Sequence, residues 1–138
     1  MTSLRPDRNP NRKRATPEQD FHKMVAEYLD LVLTPETFWT TIPLGGGGRL
    51  RGAVLKGMGV KAGVPDILLV HRERAFFIEL KSARGRMSDA QIETGIKLSI
   101  AGGRTFLCRS IDDIRDALNW FGIPTREKTV IAHIERLG

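Results

Sequence analysis

Two apolar segments of this chain, residues 67–70 (Ile-Leu-Leu-Val) and 75–80 (Ala-Phe-Phe-Ile-Glu-Leu), are separated by only His71, Arg72, Glu73 and Arg74. Both are rich in β-branched and aromatic residues, and so short a gap leaves no room for a crossover, so the chain must double back as a β-hairpin. A symmetric reversal between Arg72 and Glu73 pairs residues whose numbers sum to 145, whether the loop has two residues or four. Asp66 then stands opposite Glu79, on the same face of the sheet and with Cβ atoms about 5 Å apart. Two like charges so placed destabilise each other unless something neutralises them. Alternation carries Lys81 onto the face of Glu79 and sends Phe76, Ile78 and Leu80 to the other face to supply the core.

A metal ion would neutralise that pair. A hard cation such as Mg²⁺ prefers carboxylate oxygens and completes its shell with water and substrate phosphate, so Asp66, Glu79 and the strand carbonyl of Leu80 form a sensible site. Lys81 beside them could orient an attacking water and stabilise the charge that builds up on a phosphoryl group in flight. The chemistry written there is phosphodiester hydrolysis. A Glu-X-Lys triplet alone carries little weight, since it also suits a surface hairpin with solvated neighbours and Pro65-Asp66 as a turn pair.

Around the hairpin the pattern gives alternating helices and strands. Thr16-Pro17-Glu18 is a helix start, and Phe21, Met24, Val25, Tyr28, Leu29, Val32 and Leu33 form one apolar stripe. Residues 38–42 suit a strand, and residues 45–48 are four glycines. No Gly-Lys-Ser/Thr closes that run, so it is no phosphate-binding P-loop and reads as a mobile loop carrying Arg49, Arg51 and Lys56. Ser88 opens a second helix ended by Gly102 and Gly103, residues 105–108 form a strand, residues 111–121 a third helix, and residues 130–137 a last one. The expected order is α-β-β-β-α-β-α-α. Trp39 and Trp120 read as core anchors from their apolar neighbours.

At 138 residues the chain is one domain, divided into a basic arm (1–15), a folded unit (16–123) and a C-terminal helical extension (124–138). The net charge of +6 is uneven: residues 1–16 carry +4, residues 45–86 carry +6, and the remainder −4. An anion therefore meets its strongest attraction around the hairpin, where Lys56, Lys61, Arg84 and Arg86 can neutralise backbone phosphates. The arm is proline-rich and polar, which predicts disorder in isolation, whether it serves as a phosphate-contacting segment or a plain leader. No apolar run approaches the ~20 residues of a membrane span. A single cysteine, Cys108, cannot pair internally and reads as a small buried hydrophobe, so a cytoplasmic, reducing setting is expected.

The segments Gly63-Val64-Pro65-Asp66-Ile67-Leu68-Leu69-Val70, Phe76-Phe77-Ile78-Glu79-Leu80-Lys81 and Met87-Ser88-Asp89-Ala90-Gln91 together resemble the VRR-NUC branch of the PD-(D/E)XK nucleases. The resemblance covers residues 17–121. It implies an α+β, restriction-endonuclease-like αβββαβ core with a mixed central sheet flanked by helices. It further implies Mg²⁺ or Mn²⁺ dependence, no small-molecule cofactor, and DNA as the partner and substrate. Asp66 and Glu79 correspond to metal ligands, Lys81 to the catalytic lysine, and Glu18 matches best a first-helix glutamate near the metal. Gln91 falls where a residue behind the ligands or on the phosphate is expected. Each of the last two also has a structural use: Glu18 favours a helix N-terminus, and Gln91 stands three residues after Ser88, as in a capping box. His22, one turn beyond Glu18, receives no role, because a lone histidine is more often a satisfied structural residue.

The resemblance to the small, isolated members of this family further implies a structure-selective endonuclease acting on branched, junction or flap DNA, as a homodimer or higher homo-oligomer. The alternative is a non-catalytic nucleic-acid-binding protein that retains the nuclease fold.

Overall fold

The computed structural model describes residues 16–43 and 48–127. The basic arm, residues 44–47 and the expected last helix at 130–137 lie outside the described residues. The elements are α1 (Pro17–Val32), β1 (Thr37–Thr41), α2 (Gly48–Gly57), β2 (Ile67–His71), β3 (Arg74–Leu80), α3 (Asp89–Ile100), β4 (Arg104–Cys108) and α4 (Ile111–Phe121). One four-stranded sheet runs in the order β1-β2-β3-β4, antiparallel through β3 and parallel between β3 and β4. The parallel step follows from α3, which returns the chain to the starting end of the sheet as a crossover helix must.

The hairpin has the expected register. Every β2–β3 pair from Ile67↔Ile78 to His71↔Arg74 sums to 145. The reversal uses a two-residue loop in which Arg72 and Glu73 both adopt positive φ, 47° and 67°. That is the type I′ geometry whose twist matches the strands, and it is built here from two side chains that tolerate it poorly. Replacing Glu73 by glycine is expected to stabilise the protein by about 0.5–1 kcal/mol, seen as a higher urea midpoint at unchanged m. An unchanged midpoint would show that the turn is not strained.

Strand alternation then divides the sheet. Ile67, Leu69, Phe76, Ile78 and Cys108 are buried with Val25, Leu29 and Val32 of α1 and Ile114, Ala117, Leu118 and Phe121 of α4, so the core lies between one sheet face and these two helices. Helix α1 starts at a capping box in which the Thr16 hydroxyl accepts from Gln19 N while Gln19 Oε1 accepts from Thr16 N. Helix α4 ends on Gly122 at φ 74°, with Ile123 N donating to Leu118 O, the left-handed stop that glycine makes cheap. Burial pushes the Cys108 thiol up to about 12, as suits an inert core residue.

Three expectations fail. Residues 48–57 form helix α2 rather than a loop: Leu50, Val54 and Leu55 have helical spacing, and Arg49, Arg51, Ala53 and Lys56 are adequate helix formers. Trp120 is no core anchor. It is 57% exposed, with the Arg104 guanidinium 5.4 Å from its ring centroid and the Phe106 and Phe121 rings tilted against it. Met24, counted in the α1 stripe, also faces out. Trp39 does pack on the core, its indole N–H donating to Asp30 Oδ1 at 2.9 Å.

Candidate active site

On the sheet face away from that core, the hairpin register extends one step beyond Ile67↔Ile78 to bring Asp66 against Glu79. The step is fixed by Asp66 Oδ2, which accepts from Leu80 N at 2.8 Å, while Asp66 O accepts from Ile42 N at 2.7 Å. Glu79 is 5% exposed. Its Oε1 takes a hydrogen bond from Gln91 Nε2 at 2.8 Å and lies 3.6 Å from Lys81 Nζ. Each carboxylate therefore has one oxygen engaged by a donor. Asp66, Glu79, Leu80 and Lys81 line a cleft of about 180 Å³ together with Glu18, Phe21, His22, Ser82 and Gln91.

Burial pushes the Glu79 carboxyl up to about 7; the neighbouring Asp66 carboxylate adds to the rise by repulsion and a shared hydrogen bond, and the Lys81 ammonium opposes it. The folded state thus disfavours the ionised form. Stability from this group is complete below the ordinary glutamate range near 4.5 and is lost as pH rises through about 7. Without divalent cation, the protein is expected to lose about 1–2 kcal/mol between pH 5 and 8 through Glu79, a figure reduced for solvent screening. Denaturant titrations of wild type and Glu79→Gln in chelator check this, and equal pH slopes would remove Glu79 as the cause.

Gln91 resolves two readings into one. Its Oε1 accepts from Ser88 N at 2.8 Å and its backbone N donates to Ser88 Oγ, closing the capping box of α3, while its Nε2 reaches Glu79. The amide caps the helix and orients the carboxylate at once. On α1, Gln19 takes the reciprocal capping role, so Glu18 is not tied into the cap and is left to line the cleft. His22, passed over in the sequence, also lines it, with Nε2 3.2 Å from Thr41 Oγ1. The i, i+4 spacing from Glu18 was its available signal.

Two contacts hold the site from outside. Gly63, at φ 76°, packs so tightly on the start of α3 that a Cβ there would collide with the Ala90 carbonyl and Gln91 N. Thr94 Oγ1 donates to Ala62 O at 2.6 Å beside it. Arg109 Nη1 donates to Ser82 O and Gly85 O at 2.6 and 2.7 Å, bracing the segment that follows Lys81. Nothing in the sequence signals that brace. Lys56, Lys61, Arg84 and Arg86 are exposed and line no part of this cleft; Lys56 and Lys61 border a separate groove of about 510 Å³ with Gly63. A cavity of about 720 Å³ among Tyr28, Leu31, Leu118 and Ile123 holds none of the candidate residues.

No family profile and no curated protein matches the sequence. A solved structure described as "VRR_NUC domain protein" superposes with a TM-score of 0.60 over 78% of this chain and 89% of that chain, at 20% identity. The chain has a VRR-NUC fold. Its sheet and flanking helices are those of an α+β, restriction-endonuclease-like domain, and α2 lies between the first and second strands of this VRR-NUC fold.

Among the described residues, no group of three His, Cys, Asp or Glu side chains lies close enough to hold a metal ion. Asp66, Glu79, Leu80 and Glu18 nonetheless line one cleft, in which burial and the neighbouring Asp66 carboxylate push the Glu79 carboxyl up. Among those residues, too, no helix is long and apolar enough to cross a membrane.

Proposed function

We propose that this protein is a metal-dependent endonuclease that hydrolyses DNA phosphodiester bonds and prefers branched DNA to linear duplex. The observation that carries the reading is the meeting of Asp66, Glu79 and Lys81 in one cleft, where burial and the Asp66 carboxylate push the Glu79 carboxyl up. A like-charge pair in a half-buried cleft is costly for folding alone and useful for holding a cation. Asp66 and Glu79, with the Leu80 carbonyl and Glu18, would hold Mg²⁺, and Mn²⁺ would serve in its place. When bound, the cation supplies Lewis acidity at the phosphate and compensates the charge that develops there.

The chain's own groups have separable tasks in this scheme. Lys81 orients the attacking water and donates to the phosphate oxygens as their charge grows. Gln91 fixes the Glu79 carboxylate by its amide, and the Leu80 N–H fixes that of Asp66. Lys56, Lys61, Arg84 and Arg86 neutralise phosphates along the flanking strands without reading bases.

Incubation of purified protein with branched and linear DNA, in Mg²⁺, in Mn²⁺ and in chelator, tests the reading. Cutting is expected in either metal, faster on branched substrates, and absent in chelator. DNA binding without strand scission under every condition would leave a non-catalytic binding protein. Affinity that fails to fall as salt rises would argue against phosphate contact altogether.

A further inference from the structure

We propose that His22 contacts the substrate directly, donating a hydrogen bond from ring Nδ1 to a non-bridging oxygen of the phosphodiester in the cleft, while Thr41 holds its other ring nitrogen. The proposal rests on the phosphodiesterase reading. Helix α1 brings His22 into the cleft one turn after Glu18, alongside Asp66, Glu79 and Lys81. Thr41, the last residue of β1, lies 3.2 Å from His22 Nε2 through its hydroxyl. Thr41 pairs with Ile67, and the next residue, Ile42, bonds the Asp66 backbone, so the strand end that anchors the imidazole also anchors the first carboxylate. Imidazole and metal-binding pair are held in one frame.

A satisfied structural histidine would explain half of this. It accounts for Nε2, whereas Nδ1 has no hydrogen-bond partner among the described residues. If the Thr41 hydroxyl donates to Nε2, the neutral ring must carry its proton on Nδ1 and is a donor there. The cleft needs such a donor. Among the described residues its wall carries three carboxylates, Glu18, Asp66 and Glu79, against the one ammonium of Lys81, which sits 3.6 Å from Glu79. The Gln91 amide is already committed to Glu79 and Ser88. A phosphodiester entering past Glu18 would meet His22 as the donor on the α1 side, complementing Lys81 on the β3 side.

Two amide variants separate contact from scaffolding, because an asparagine amide overlays Nδ1 of a histidine and a glutamine amide overlays Nε2. With DNA and Mg²⁺, His22→Gln is expected to keep the thermal midpoint, by keeping the Thr41 bond, and to lose roughly 10- to 100-fold in kcat with KM within about threefold. His22→Asn should retain most of kcat even if its midpoint falls. The reverse ranking, or wild-type kcat in both, overturns the proposal.

A readout independent of cutting uses the ring ¹⁵N resonances of the wild-type protein, titrated with a branched DNA and Mg²⁺. The His22 Nδ1 signal should move, while His71, buried and bonded to Thr37 Oγ1, serves as the fixed reference. If the protein does not cut DNA, the nuclease reading falls, yet a shifted Nδ1 still supports the contact. An unmoved His22 signal at saturating DNA, or no DNA binding at all, overturns it.

Discussion

Replacing Asp66 with asparagine is expected to remove strand cleavage by roughly 10³-fold or more, because a lost metal ligand forfeits several kcal/mol of charge compensation at the phosphate. The metal-free protein should meanwhile become more stable, not less. Asp66 Oδ2 accepts from Leu80 N, and an asparagine carbonyl can take the same hydrogen bond. What disappears is the negative charge facing Glu79, one of the causes that push the Glu79 carboxyl up to about 7. At pH 8 in chelator a gain of about 1 kcal/mol is expected, the modest size reflecting screening by solvent in the cleft. Single-turnover cutting with Mg²⁺ and melts in chelator give the two numbers. Cutting within tenfold of wild type would take Asp66 out of the chemistry, and a lower melting temperature would mean that geometry rather than charge had been lost.

Lost activity together with gained stability would mark a site selected for chemistry rather than for folding. The sequence exposed the pair because hairpin register is local arithmetic: one short turn fixes it, and all five observed pairs obey the sum that places Asp66 opposite Glu79. Helix starts were legible for the same reason, since Thr16 and Ser88 meet their capping partners three residues on. Contacts between distant segments were not. His22 meets Thr41 across 19 positions, and Arg109 braces Ser82 and Gly85 across 27 and 24. No periodicity encodes such meetings.

Two other failures have a different origin, in that the local signal itself was mixed. Helix α2 carries glycines at 48, 52 and 57 and few apolar residues, so its pattern is weak against the four-glycine run before it. Trp120 sits among apolar neighbours in sequence, but helix α4 turns Ile114, Ala117, Leu118 and Phe121 inward and leaves Trp120 outside that face. Gln91 could not be assigned between cap and site because an amide serves both, with its oxygen on Ser88 and its nitrogen on Glu79.

The dependence of the site on α3 makes Gly63→Ala the most disruptive single-methyl change available near the cleft. Two separate costs fall on that methyl. The backbone at φ 76° lies where an L side chain is strained, by about 1 kcal/mol or more, and the new Cβ would overlap backbone atoms of Ala90 and Gln91, which cannot rotate away as a flexible side chain could. The start of α3 has to retreat or the loop has to unwind, so a total loss of about 2–4 kcal/mol in folding stability is expected. Either response carries Gln91 away from Glu79 and frees Thr94 from Ala62 O. Any folded fraction should therefore also cut DNA at least about tenfold more slowly, since an unheld carboxylate no longer keeps the reactive geometry. Urea titration and activity per folded molecule measure the two effects separately. Stability within about 0.5 kcal/mol of wild type would show that the loop absorbs the methyl without strain, contrary to the close approach on which this packing depends.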